Sequence, residues 1–183
     1  MTNRTKLLIL HSFNDLLKRN TIEDITTKMI IEKAGVGKTT FYRYFKDKYD
    51  VMSFNYDVIL KDSFRASSNL WELLYNIAIQ FHSLHEKTKN NIAQYKGSNS
   101  TNDYIIEASM AFLEDLARRN RNGEGLTRSE YFQSRIIIGG ISVTGINWPL
   151  DDNDISTFQF CTDELYQLFP ESIKSLKFSV SQE

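Results

Sequence analysis

Two prolines and eight glycines are few for 183 residues, and their scarcity argues for long helices rather than strands joined by tight turns. A single cysteine, Cys161, excludes a structural disulfide within the chain. It lies among Phe158, Phe160 and Leu165 with no cation beside it, so a packed thiol is the simpler reading than a redox sensor. Three histidines, His11, His82 and His85, leave little material for a metal site. His82 and Glu86 are one helical turn apart, but the order is not that of the zinc-protease motif, and His11 belongs to a distant segment. No metal and no cofactor are expected. The longest apolar stretch, residues 136–146, is interrupted by serine and threonine and is too short to cross a bilayer. The opening Met-Thr-Asn-Arg-Thr-Lys has neither an apolar core nor a small-residue cleavage site. A cytoplasmic protein with no membrane partner is expected. No constellation of nucleophile and base stands out either, so an enzyme is not expected.

What is present is an uneven distribution of charge. The net charge of −1 conceals a basic first fifty residues, at +4, and a remainder at −5. A basic head on an acidic body is the pattern of a phosphate-binding module joined to a domain that does not touch nucleic acid.

Within the head, residues 25–48 read as helix, tight turn, helix. Thr26 precedes an apolar-periodic run and can cap a helix over Thr27 to Ala34, in which Ile30 and Ala34 share a face. Gly35 supplies the positive φ needed to leave one helix and enter the next within a few residues. Lys38 to Tyr44 then forms a second short helix, with Val36, Phe41 and Phe45 inward and a cationic, hydroxyl-rich and aromatic outer face. Lysine and arginine reach phosphates and guanine edges, threonine offers a hydroxyl and a methyl, and tyrosine hydroxyls bond phosphate oxygens. The second helix is the candidate recognition helix. The run Ala34-Gly-Val-Gly-Lys-Thr-Thr imitates a phosphate-binding loop but fails on spacing, because Glu32 stands where the first glycine is required.

Ile25-Thr26, Ala34-Gly35-Val36 and Thr40-Phe41-Tyr42-Arg43-Tyr44-Phe45-Lys46-Asp47-Lys48 resemble the DNA-binding signature of the TetR/AcrR family of bacterial transcriptional regulators. The resemblance covers about the first sixty residues. Ile31 stands where the family tends to have a small alanine. Asn20 stands where the first helix often ends in glycine, and asparagine tolerates the left-handed conformation. The resemblance implies an all-α fold, with a helix-turn-helix DNA-binding domain over residues 1–47 and a helical ligand-binding and dimerisation domain over residues 48–183. It also implies DNA contacts from Thr26, Thr27, Lys28, Gly37, Lys38, Thr39, Thr40, Tyr42, Arg43, Tyr44 and Lys48.

Along the rest of the chain, Asp47 caps a fourth helix that runs from the head into the body around Phe64, and residues 69–87 and 104–119 carry further helical stripes. Residues 90–102 read as a surface loop. Arg118, Arg119 and Arg121 are explained as cations at a helix C-terminus. From Thr127 to Trp148 the chain is apolar nearly all round, and Gly139, Gly140, Ser142 and Gly145 suit close approach by another helix. Residues 151–154 cap a last main helix, residues 155–169, which carries Leu168 and Phe169 toward the same interface. The C-terminal pair is similar to that of one TetR subgroup, in which two such helices form a four-helix bundle across a two-fold axis. Interface residues expected on that basis are Ile137, Gly140, Ile141, Thr144, Trp148, Phe158 and Leu165.

By the resemblance, the function is that of a homodimeric repressor on double-stranded DNA bearing an inverted repeat, released by an unidentified small-molecule effector. Tyr75, Phe81, Tyr104 and Phe112 are candidate effector contacts, although plain core is the simpler account of them. The alternative is a ligand-independent DNA-binding activator or adaptor that recruits a protein partner.

Overall fold

A computed structural model describes residues 2–83, 101–147 and 155–178, and among the described residues there are nine helices and no strand. They are α1 (Thr2–Leu17), α2 (Thr27–Ala34), α3 (Lys38–Tyr44), α4 (Lys48–Arg65), α5 (Leu70–Ser83), α6 (Thr101–Asn120), α7 (Arg128–Asn147), α8 (Ile155–Leu168) and α9 (Glu171–Lys174). The all-α class is the expected one. Two compact units divide the chain, the first running to Val58 and the second taking Ile59–Ser83 and the chain from Asn102. The division falls inside α4, so that helix contributes its first part to the head and the rest to the body.

The head is built on α1, whose periodic Ile9, Leu10, Phe13 and Leu17 are all buried. Ile22, Ile25, Ile30, Phe41 and Val51 complete a core in which none of the five exceeds 1% exposure. Each such side chain contributes about 1.5–3 kcal/mol on leaving water. α1 packs on α2. Asn20 ends α1 differently from the expectation. Its side-chain amide donates to the Leu16 carbonyl at 2.9 Å, and its backbone amide reaches the same oxygen at 3.0 Å. Among the described non-glycine residues only Asn122 has a positive φ, so Asn20 closes the helix with its side chain and not by a left-handed turn.

In the body, α5 is capped by Asn69, whose Oδ1 accepts from the Glu72 amide at 2.9 Å while the Glu72 carboxylate accepts from Ser68 N. α5 packs along α8 and α9, and Trp71 Nε1 donates to Asp163 Oδ1 at 2.7 Å. From α6, Ile105, Met110, Leu113, Leu116 and Ala117 are buried. The last described residues also enter the core: Phe169, Ile173, Leu176 and Phe178 are buried, and the Phe178 ring meets Phe64 at 5.3 Å. Phe169 thus belongs to its own body, whereas Leu168 beside it is 63% exposed.

α7 opens with a capping box. Thr127 Oγ1 accepts from Glu130 N at 3.2 Å, and the Glu130 carboxylate accepts from Thr127 N at 2.8 Å. That carboxylate also receives both terminal nitrogens of Arg121, at 2.9 and 2.8 Å, so Arg121 joins the end of α6 to the start of α7. The other two arginines of the run pair along their own helix, Arg118 with Glu114 and Arg119 with Asp115. Further along, α7 is inverted. Glu130, Ser134, Ile138 and Ser142, at a spacing of four, face inward, while Phe132 and Ile136 are 66% and 59% exposed. Among the described residues no helix is long and apolar enough to cross a membrane.

Candidate nucleic-acid interface

Local chemistry sets the two helices of the motif. Thr26 is extended, at φ −102°, and its hydroxyl accepts from the Met29 amide at 3.2 Å. At the other end of α2, Gly35 has φ +63°. Its amide reaches Glu32 O at 3.2 Å and the Val36 amide reaches Ile31 O at 3.3 Å, the paired bonds that close a helix through a left-handed glycine. Two residues later Gly37, again extended, opens α3 with no side-chain cap. A Cβ on Gly37 would meet only Thr40 Oγ1, at 3.9 Å, so the fold itself does not demand glycine there.

α3 is fixed from beneath. Phe41 is fully buried and Phe45 nearly so, their rings 6.0 Å apart, and Phe45 lies 5.5 Å from Phe54 of α4. Asp47 then caps α4 as expected, its Oδ1 accepting from Tyr49 N at 2.8 Å and Asp50 N at 2.9 Å. With its apolar side anchored, α3 turns Lys38, Thr39, Tyr42 and Arg43 to solvent, while Thr40 and Tyr44 are half-buried. Tyr42 is 50% exposed. On α2, Thr26 and Lys28 are exposed and Thr27 half-buried. The Ala34-Gly-Val-Gly-Lys run lies between two helices and follows no strand, which removes the phosphate-loop reading.

The head's cations differ in their partners. Lys18 and Lys33 share Asp15, and Lys28 lies 3.7 Å from Glu32 in an exposed pair. The Lys6 ammonium sits over the Phe45 and Phe54 rings, 5.8 and 5.1 Å from their centroids. By contrast, exposed Lys38, Arg43 and Lys46 make no ion pair among the described residues, and all three lie on or directly after α3. Lys46 was absent from the expected contact set. The signal for it was its place between buried Phe45 and the cap Asp47, which leaves it no inward direction.

Lys48, expected as a phosphate contact, is half-buried, and its ammonium is engaged within the head. Its Nζ donates to the carbonyls of Ile22, Glu23 and Ile25 at 2.6, 3.1 and 2.8 Å.

The body aromatics singled out in the sequence, Tyr75, Phe81, Tyr104 and Phe112, lie on α5 and α6. Tyr75 stacks on Trp71 at 5.2 Å, whereas Phe112 meets Phe64 at 5.0 Å and Phe178 at 6.5 Å. Phe81 and Tyr104 are half-buried. Of the expected interface residues, Ile137, Ile141 and Leu165 are half-buried and Gly140 is exposed. Trp148 and the side chains of Thr144 and Phe158 lie outside the described residues, as do residues 84–100, with Glu86 and most of the expected surface loop, and the acidic cap at 151–154; the last two residues of that loop, Thr101 and Asn102, instead begin α6. Cys161 is half-buried and burial pushes its thiol up from the ordinary value. Among the described residues no three His, Cys, Asp or Glu side chains come together as a metal-holding group.

Residues 9–53 match the family described as bacterial regulatory proteins, tetR family. The fold is similar to the crystal structure of the TetR family repressor AlkX from Dietzia sp. strain DQ12-45-1b, implicated in biodegradation of n-alkanes. The TM-score is 0.53 at 15% identity, over 89% of this chain and 94% of that one. No curated protein shows a significant sequence match to the chain.

Proposed function

We propose that this chain, which carries at residues 9–53 the DNA-binding head of the bacterial tetR regulators, is a cytoplasmic transcriptional repressor that binds an inverted-repeat operator as a homodimer and releases it on binding a small molecule. The observation that carries the DNA half is the outer face of α3. Tyr42, Lys38, Arg43 and the following Lys46 are exposed, the three cations have no ion-pair partner among the described residues, and Phe41 and Phe45 hold the helix rigidly beneath them. In this reading Lys38, Arg43 and Lys46 take phosphates or guanine edges, and Thr39, Thr40, Tyr42 and Tyr44 add hydroxyl contacts. Thr26, Thr27 and Lys28 flank the same groove, and Gly37 lets the DNA backbone come close.

Support for the dimer comes from the inverted α7. Phe132 and Ile136, with Phe160 and Leu168 of α8, are each at least 59% exposed in the single chain, and a second copy presenting the same face covers them. Two heads related by a two-fold axis would occupy successive major grooves about 34–36 Å apart. The effector would contact body aromatics such as Tyr75, Phe81, Tyr104 and Phe112. To turn binding off it must favour the released state by about 5 kcal/mol, which moves a two-state equilibrium from nearly all bound to nearly all free.

Selection from a random duplex pool followed by footprinting tests this reading. An enriched inverted repeat with two protected half-sites, lost in the Tyr42→Ala/Arg43→Ala variant, is expected. A pool that enriches no sequence contradicts it.

A further inference from the structure

We propose that Lys48 is a positioning residue of the head, holding the segment between α1 and α2 against the start of α4, and not a phosphate contact. For its affinity readout alone the proposal rests on the DNA-binding reading above.

An ammonium has three N–H donors and no acceptor. Those of Lys48 are all committed, to Ile22 O at 2.6 Å, Ile25 O at 2.8 Å and Glu23 O at 3.1 Å. The need for such a donor follows from the segment it binds. Residues 18–26 lie between two helices and have no ladder of their own, while Ile22 and Ile25 put their side chains fully into the core. Burying those side chains commits the backbone, and backbone carbonyls drawn from water require partners. One cation satisfies the part-buried carbonyls of Ile22 and Ile25 and also takes the exposed carbonyl of Glu23 between them. The Tyr49 ring centroid, 5.3 Å from the ammonium, adds a cation–π contact.

The placement gives this contact its consequence. Ile25 is followed at once by Thr26, the cap of α2, and Lys48 is preceded at once by Asp47, the cap of α4. A single side chain therefore ties together the points at which the helix-turn-helix begins and the helix after it begins. A phosphate could claim this ammonium only by displacing a carbonyl. Lys46, two residues earlier, is exposed and makes no ion pair among the described residues. It is the lysine of this pair that is available to DNA.

Arginine separates the two roles. Its guanidinium serves a phosphate at least as well as an ammonium does, but its planar fork cannot converge from one nitrogen on three carbonyls. The experiment uses the full chain as wild type, Lys48→Arg, Lys48→Met and Lys46→Met. Amide hydrogen exchange at Met29 and Ile30 is measured in the free protein, and affinity for the selected duplex is measured across a salt series. Both Lys48 variants should exchange at least tenfold faster at these amides and bind at least tenfold more weakly, with the salt slope of the wild type. Lys46→Met should leave exchange unchanged and reduce the slope by about 1.8 for a two-headed complex. The proposal is overturned if Lys48→Arg matches the wild type in both readouts, or if Lys48→Met reduces the slope as Lys46→Met does. If the wild type binds no duplex, the DNA-binding reading fails, and the exchange measurement still decides whether Lys48 positions the segment.

Discussion

Replacing Glu130 with glutamine should destabilise the body by about 3 kcal/mol, the lower end of the cost of breaking a buried ion pair. The residue is 6% exposed, and its carboxylate takes both terminal nitrogens of Arg121 together with the amide and hydroxyl of Thr127. An amide of the same shape keeps one acceptor and turns an NH2 toward donors, leaving the guanidinium unpaired. The lower end applies because the Arg121 side chain is 24% exposed and water reaches it. At about 2–4 °C per kcal/mol for a chain of this size, the midpoint of thermal unfolding should fall by roughly 6–12 °C. The pH dependence has a definite sign. Arg121 first, against the opposing effect of burial, and Thr127 with Ser172 hold the Glu130 carboxyl well below its usual range. A depressed folded-state pKa stabilises the native state fully above the ordinary carboxylate value, and that stabilisation is lost as pH falls through the folded value. The gap between wild type and variant should therefore be constant near neutrality and narrow only in acid. Thermal melts at fixed protomer concentration, at pH 7 and pH 4 and at two salt concentrations, measure it. A loss under 1 kcal/mol at pH 7, or a gap that high salt abolishes, would refute the reasoning, because exposed pairs behave that way.

The double variant Phe132→Ser/Ile136→Ser should run as a monomer in light scattering, with the head's helical signal unchanged; removing four such side chains from a two-fold interface costs at least about 6 kcal/mol, roughly four decades in association constant. A dimer of unchanged affinity would move the interface elsewhere. Gly125→Ala should cost about 1 kcal/mol in denaturant unfolding, because its Cβ would fall on the Glu114 carboxylate and force that group off Leu126 N and Arg118. Cys161, with its thiol raised by burial, should react with iodoacetamide at neutral pH more slowly than a free thiol; a faster reaction would contradict the packed assignment.

Features of the head that depend on local chemistry were legible in the sequence. Thr26 caps α2, Gly35 turns the chain and Asp47 caps α4, because each acts within a few residues of itself. Phe41 and Phe45 follow from helical spacing. The role of Lys48 was not legible, since the three carbonyls it binds lie 23 to 26 residues away and converge only once Ile22 and Ile25 are buried. Asn20 misled because a side-chain amide and a left-handed turn close a helix equally well, and composition does not distinguish them. The outward face of α7 was hidden for a related reason. Its Ile and Gly content reads as apolar all round, whereas Arg121 and Thr127 hold Glu130 inward and Ser134, Ile138 and Ser142 follow on the same stripe. The contribution of Phe178 was missed because a single aromatic after a short helix has no period.

The salt dependence of operator binding, with and without Lys38, Arg43 and Lys46, tests the central claim most directly. With all three on phosphates, Lys38, Arg43 and Lys46 on each of two heads neutralise six. The slope of log affinity against log salt should then be about −5, and affinity should fall about a thousandfold or more between 50 and 200 mM salt. The triple variant Lys38→Met/Arg43→Met/Lys46→Met should lose most of that slope while melting as the wild type does. A slope near zero in the wild type, or one that the triple variant leaves unchanged, would contradict the assignment of α3 as the surface that meets DNA.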